Sequence, residues 1–174
     1  MTEMPRPATD RAPLMTVEEA EAFLETEFPQ TAFGGRTFVI EDVGHGSARL
    51  RLLFHERHLR PGGTLSGPSM MALADVALYV ALLGAIGPVK LAVTTNLTIN
   101  FFRKPAPRDL LAECRYMKIG RSLAVAEATL FQDVGEAVAH VVATYSIPPE
   151  ARPEGPGPQQ ARQDQGSSRP KTDA

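Results

Sequence analysis

Asp75 is the residue whose type and setting most suggest chemistry. It is the one charge in Ser69 to Gly87, which reads SMMALADVALYVALLGAIG. A helix that is apolar on every side is a buried helix. An ionised carboxylate there must be paired, hydrogen-bonded or protonated, because burying it alone costs several kcal/mol. Carboxylates held in this way concentrate at active sites, where they serve as general bases or nucleophiles. The plainer reading is a structural aspartate bonded to a neighbouring strand or a second subunit. Two helical turns upstream, Arg60-Pro-Gly-Gly-Thr-Leu-Ser-Gly-Pro68 is a glycine-rich loop leading into the helix. The N–H of Gly67 at such a helix start can donate to an anion or a polarised carbonyl. Alternatively Gly62, Gly63 and Gly67 only permit a tight turn.

The remaining candidates are weaker. His55 and His58 in His-Glu-Arg-His are spaced too closely for the zinc-protease motif, and a loop reading is preferred. His45 falls in a turn and His140 in a strand with no ligand cluster around it, so neither a metal nor a cofactor is expected. No Ser-His-Asp arrangement and no phosphate loop of the Walker type is legible. Arg103, Lys104, Lys118 and Arg121 are either solvated or available to phosphates. A formal charge of -2 and a pI near 6.1 argue against a nucleic-acid binder. Cys114 is the only cysteine among 174 residues, which excludes an intramolecular disulfide and suits a reducing cytoplasm. No apolar signal segment opens the chain. The apolar run approaches membrane-spanning length, but a carboxylate at mid-bilayer costs at least ~2.5 kcal/mol, and a core helix is the preferred reading.

The elements that must position these residues lie between 15 and 147, expected to form one domain. Residues 1–14 and 148–174 are expected to be disordered, since the long tail is rich in Pro, Gln and Gly and has no large apolar side chain. Thr16 and Glu19 form a capping-box signature for a helix running to about Phe28, with Val17, Ala20, Phe23 and Leu24 on one face. Strands are predicted over 36–43 and 47–55, joined by a turn at Gly44-His45-Gly46; Ala48, Leu50, Leu52 and Phe54 alternate to one side. The long helix is predicted over about 68–83, with Gly84, Gly87 and Pro88 ending it. Strands at 92–102, 110–119, 122–133 and 136–147 follow and read as an antiparallel meander. The fold class is α+β: a curled antiparallel sheet of about six strands around one long helix, with a short N-terminal helix.

Gly-Gly-Thr-Leu-Ser-Gly-Pro followed by Met-Met-Ala-Leu-Ala-Asp75 resembles the pattern Asn-x-x-Gly-x-x-His-Gly-Gly-x-x-x-x-Leu-Ala-Asp. That pattern marks the hotdog-fold thioesterases of the phenylacetate-pathway (PaaI-like) type. Val93-Thr-Thr-Asn-Leu-Thr-Ile-Asn-Phe-Phe-Arg103 resembles the central strand of that family. Gly120-Arg121-Ser122-Leu123-Ala124 resembles its strand–turn–strand, and Ala143-Thr-Tyr-Ser-Ile147 its last strand. The resemblance covers most of 36–147. It implies a cytoplasmic acyl-CoA thioesterase, a homodimer or a homotetramer of paired hotdog dimers, with active sites between subunits and no cofactor. By the same resemblance Asp75 is the base or nucleophile, the Gly67 N–H polarises the thioester carbonyl, and the Thr94 hydroxyl helps place the attacking water. Thr94 and Asp75 would come from one subunit and the Gly67 loop from the other. Arg60, Gly63, Ser66, Met71, Tyr79 and Arg121 are the expected substrate-binding positions. Arg60 stands where the family has Asn, and Ser66-Gly67-Pro68 replaces His-Gly-Gly. Arg60 can pair with Asp75 across the interface, or bind a substrate carboxylate or a CoA phosphate. A non-catalytic acyl-CoA-binding protein is the alternative that these departures motivate.

Overall fold

The computed structural model describes residues 11–32, 34–132 and 135–149. The terminal segments expected to be disordered fall, but for residues 11–14 and 148–149, outside the described residues. Helix α1 spans Val17–Glu27. Thr16 Oγ1 accepts from the Glu19 N–H at 3.2 Å, and Glu19 Oε2 accepts from the Thr16 N–H at 2.8 Å, so the capping box closes reciprocally. Ala20 and Leu24 are buried.

Strands β1 (Phe38–Gly44) and β2 (Ser47–Leu52) form the hairpin, with Gly46 at φ 78° in the turn. The short strands β3 (Leu59–Arg60) and β4 (Thr64–Leu65) pair as a small ribbon leading into helix α2 (Gly67–Ile86). Then come β5 (Val93–Phe101), β6 (Leu110–Ile119), β7 (Leu123–Phe131) and β8 (Ala137–Ser146). The six long strands make one antiparallel sheet in the order β1-β2-β6-β7-β8-β5.

This order corrects the expected meander of four. β6, β7 and β8 do run as neighbours, but β5 joins beyond β8 as an edge strand. β6 has β2 on its other side, so the stretch from Phe102 to Asp109 crosses to the far part of the sheet. Helix α2 also runs past its expected end. Gly84 lies inside it because the helix passes close to β1: a Cβ there would sit 2.4 Å from the Gly44 carbonyl oxygen. Gly87, at φ 83°, supplies the actual stop.

The sheet meets α2 with small side chains. Ala48, Ala112, Ala124, Ala126, Ala128, Ala139 and Ala143 are all buried, alternating along their strands with outward-facing residues. They let the backbones approach, so the helix fills the interior with Leu73, Leu78, Leu82 and Val80. Full burial of each large aliphatic chain stabilises by roughly 1.5–3 kcal/mol. By length and composition α2 alone among the described residues would pass as a membrane span, yet most of it is buried inside this sheet.

Candidate active site

The expectation of burial on every side of α2 needs one correction. Pro68, Met71 and Ala72 are exposed, and Asp75 and Tyr79 are half-buried. The spacing of three or four residues makes these a single stripe left uncovered along the helix. Asp75 sits in the middle of it. Its position is thus a wall, not a core, which explains how a carboxylate is accommodated there.

On that wall the carboxylate is held by two hydroxyls. Thr94 Oγ1 donates to Asp75 Oδ1 at 2.6 Å. Tyr145 Oη donates to the same Oδ1 at 2.6 Å and lies 2.8 Å from the Asp75 carbonyl oxygen. Among the described residues no group donates to Oδ2. Register produces this convergence: Thr94 of β5 and Ala124 of β7 flank Tyr145 of β8 on either side. A bulge between Thr94 and Asn96 turns Thr94 inward beside the helix. Tyr145 is 2% exposed. Burial, and then the Asp75 charge, push its phenol far above the ordinary value, so it remains a donor. Sequence reasoning did not single out Tyr145. The available signal was a polar tip at an inward strand position, in phase with Val141, Ala143 and Ile147.

At the start of α2, Ser66 caps the helix. Its Oγ accepts from the Ser69 N–H at 3.3 Å, and its own N–H donates to the His58 carbonyl at 2.8 Å. Pro68 has no N–H, which leaves the Gly67 N–H as the unengaged donor of the first turn among the described residues. A cleft of about 350 Å³ opens beside it, lined by Arg60, Thr64, Met70, Phe101, Arg103 and Lys104 as well as Gly67. Arg103 pairs with Glu136 at 2.6 Å. Arg60 and Lys104 have no ion pair among the described residues, and Arg60 does not meet Asp75 within this chain.

The predicted site residues therefore fall into separate groups. Asp75, Thr94, Met71 and Tyr79 belong to the stripe or touch it. Tyr79 donates to the Val89 carbonyl at 2.6 Å. Gly67, Ser66 and Arg60 belong to the cleft end, and Gly63 is exposed in the β3–β4 turn at φ 73°. Arg121 is exposed in the β6–β7 turn, at the same end of the sheet as Thr94 and Tyr145. Eight helical steps lead from Gly67 to Asp75, about 12 Å along the axis. One thioester carbonyl cannot meet both within a single chain. No group of three or more metal-ligating side chains occurs among the described residues.

A long helix wrapped by a six-stranded antiparallel sheet, with a tethered carboxylate on the helix's open stripe, defines a hotdog-fold protein of PaaI-like architecture. The sequence profile of the thioesterase superfamily matches residues 62–139. A crystal structure from Silicibacter, of a protein assigned as a thioesterase, is 46% identical. The match covers 79% of this chain and 94% of that one, with a TM-score of 0.70. PaaI of the Escherichia coli phenylacetic acid degradation operon shares the fold at 20% identity, with coverage of 75% and 91% and a TM-score of 0.60. A Halobacterium salinarum protein assigned as an esterase is 32% identical over 96 residues. That match takes in 52% of this chain and 63% of the relative's length. The chain belongs to the thioesterase superfamily.

Proposed function

We propose that the protein is an acyl-CoA thioesterase that works as a symmetric pair of chains. The observation that carries this reading is the Asp75 carboxylate, tethered through Oδ1 on an uncovered stripe with Oδ2 unengaged. In this reading Oδ2 takes a proton from water or attacks the thioester carbon directly. Thr94 Oγ1 gives its one proton to Asp75, so toward water it offers lone pairs and accepts. The Gly67 N–H stabilises the developing oxyanion, a contribution worth ~3 kcal/mol in comparable sites. Met71 and Tyr79 shape the acyl wall, while Arg60, Lys104 and Arg121 are free to meet phosphates.

The 12 Å between Gly67 and Asp75 is what calls for a second chain. β5 is an edge strand, and its backbone is the natural template for another copy. The Phe102 N–H points to Val138 of β8. By alternation, the N–H groups of Leu97, Ile99 and Phe101 point outward. Antiparallel pairing of two β5 strands about their middles sets the Thr94 end of one copy against the Phe101 end of the other. Phe101 packs on Gly67, with its Cζ 3.3 Å from where a Cβ would be. Each Asp75 then faces its partner's Gly67. Two such pairs joined face to face would give the tetramer. We place the enzyme in the cytoplasm, in keeping with its lone reduced cysteine.

The test is CoA release across a panel of acyl-CoA thioesters. Asp75→Asn should lower kcat by roughly 10²-fold or more with an unchanged melting temperature. Undiminished turnover in that variant rejects the assignment. Binding of acyl-CoA without turnover by the wild type would instead identify the non-catalytic binding protein, a reading favoured by the single donor left at the helix start.

A further inference from the structure

Two hydroxyls reach Asp75, but they are not equally well anchored. Thr94 is carried by an edge strand, beside a bulge. Tyr145 is carried by β8, which is paired on both sides, with β7 and with β5. Its ring is buried among the alanines of the inner face and meets the Tyr116 ring edge-on, with centroids 6.3 Å apart and planes at 72°. Tyr116 is itself tied to the helix, its hydroxyl donating to the Leu78 carbonyl at 3.2 Å. The Tyr145 hydroxyl thus approaches from a fixed direction. A purely structural tyrosine would need only the Asp75 carbonyl oxygen at 2.8 Å. This one is closer to the carboxylate, at 2.6 Å.

We infer that Tyr145 is a positioning residue for the Asp75 carboxylate: its phenol fixes Oδ1, so that Oδ2 is the oxygen presented to the thioester or to the attacking water. The inference rests on the thioesterase reading above. Tyr145 touches no substrate and acts through Asp75 alone.

Tyr145→Phe keeps the ring and removes the donor. The expected result is a kcat lower by about 10- to 100-fold, the range of a hydrogen bond to a charged group, with KM little changed. In an Asp75→Asn background the same substitution should cause no further loss. A shape-preserving measurement covers the case in which the phenylalanine variant misfolds. The chain has three tyrosines, and among the described residues only Tyr145 donates to Asp75. Replacing them with 3-fluorotyrosine keeps the ring and alters the strength of that donor, and should change kcat while leaving KM in place. If Asp75→Asn abolishes turnover while kcat is unchanged in both preparations, Tyr145 has no positioning role and the thioesterase reading stands. If Asp75→Asn leaves turnover intact, the thioesterase reading and this inference fall together.

Discussion

Burial acts on the titratable side chains of this chain in opposite directions. Cys114 is fully enclosed, its Sγ–H directed at the carbonyls of Ala77 and Ala48 at 3.2 and 3.4 Å, and burial pushes its thiol up to about 12. It ties helix to sheet and is no nucleophile. His58 is shifted the other way. Burial first, then the charge of Arg57 and of His55, hold it below its ordinary value of 6.5. The folded chain therefore binds fewer protons than the unfolded chain in the window just under 6.5. Stability is complete above that pH and is lost as pH falls through the window toward the folded value. Urea midpoints measured from pH 7 to 5 should fall in the wild type and fall less in His58→Gln; parallel curves would remove His58 from the account. At this scale Asp75 was legible, because a carboxylate inside an apolar run is conspicuous. Tyr145 was not, because its significance depends on which strand lies beside β8, and that pairing is non-local.

Element boundaries followed local chemistry where local chemistry decides them. The capping box of α1 and the alternation of β2 closed as expected, since both depend on residues a few positions apart. The end of α2 did not. A glycine in a helical pattern reads as a stop, but Gly84 serves contact with β1, at the Gly44 carbonyl and Val43. Gly84→Ala raises helix propensity yet places a methyl 2.4 Å from one atom and 2.8 Å from another. The clash should prevail and destabilise by about 1–3 kcal/mol, read as a lowered melting temperature. An unchanged or raised value would mean that the helix can shift away from β1. The edge position of β5 was likewise hidden: its alternation is the same whether it neighbours β6 or β8, and only the competing claim of β2 on β6 decides the order.

For the whole molecule, the topology that hides β5 in the sequence also leaves its backbone free. The proposed pairing puts Thr98 near the two-fold axis, where like charges on both copies repel. Thr98→Asp combined with Asn100→Asp should convert the proposed dimer to a monomer by light scattering and reduce turnover in proportion. Monomers with full activity would contradict a site shared between chains. The fold class and the helix carrying Asp75 were legible because they follow from one long apolar segment and the strands around it. The division of the site between the Gly67 loop and the Asp75–Thr94 pair was expected only through the family resemblance, since residue types alone do not reveal distances along α2 and β5.

The uncovered stripe of α2 has a consequence for how such a chain diversifies. Leu73, Val80 and Leu82 sit fully enclosed and tolerate little change, whereas Met71, at 39% exposure, and Ala72 border Asp75 without holding the interior together. Substitutions at those two positions alter the wall beside the carboxylate at small cost to folding. Lineages descended from such a chain are free to drift in the molecules they accept while inheriting the same scaffold and the same tethered acid.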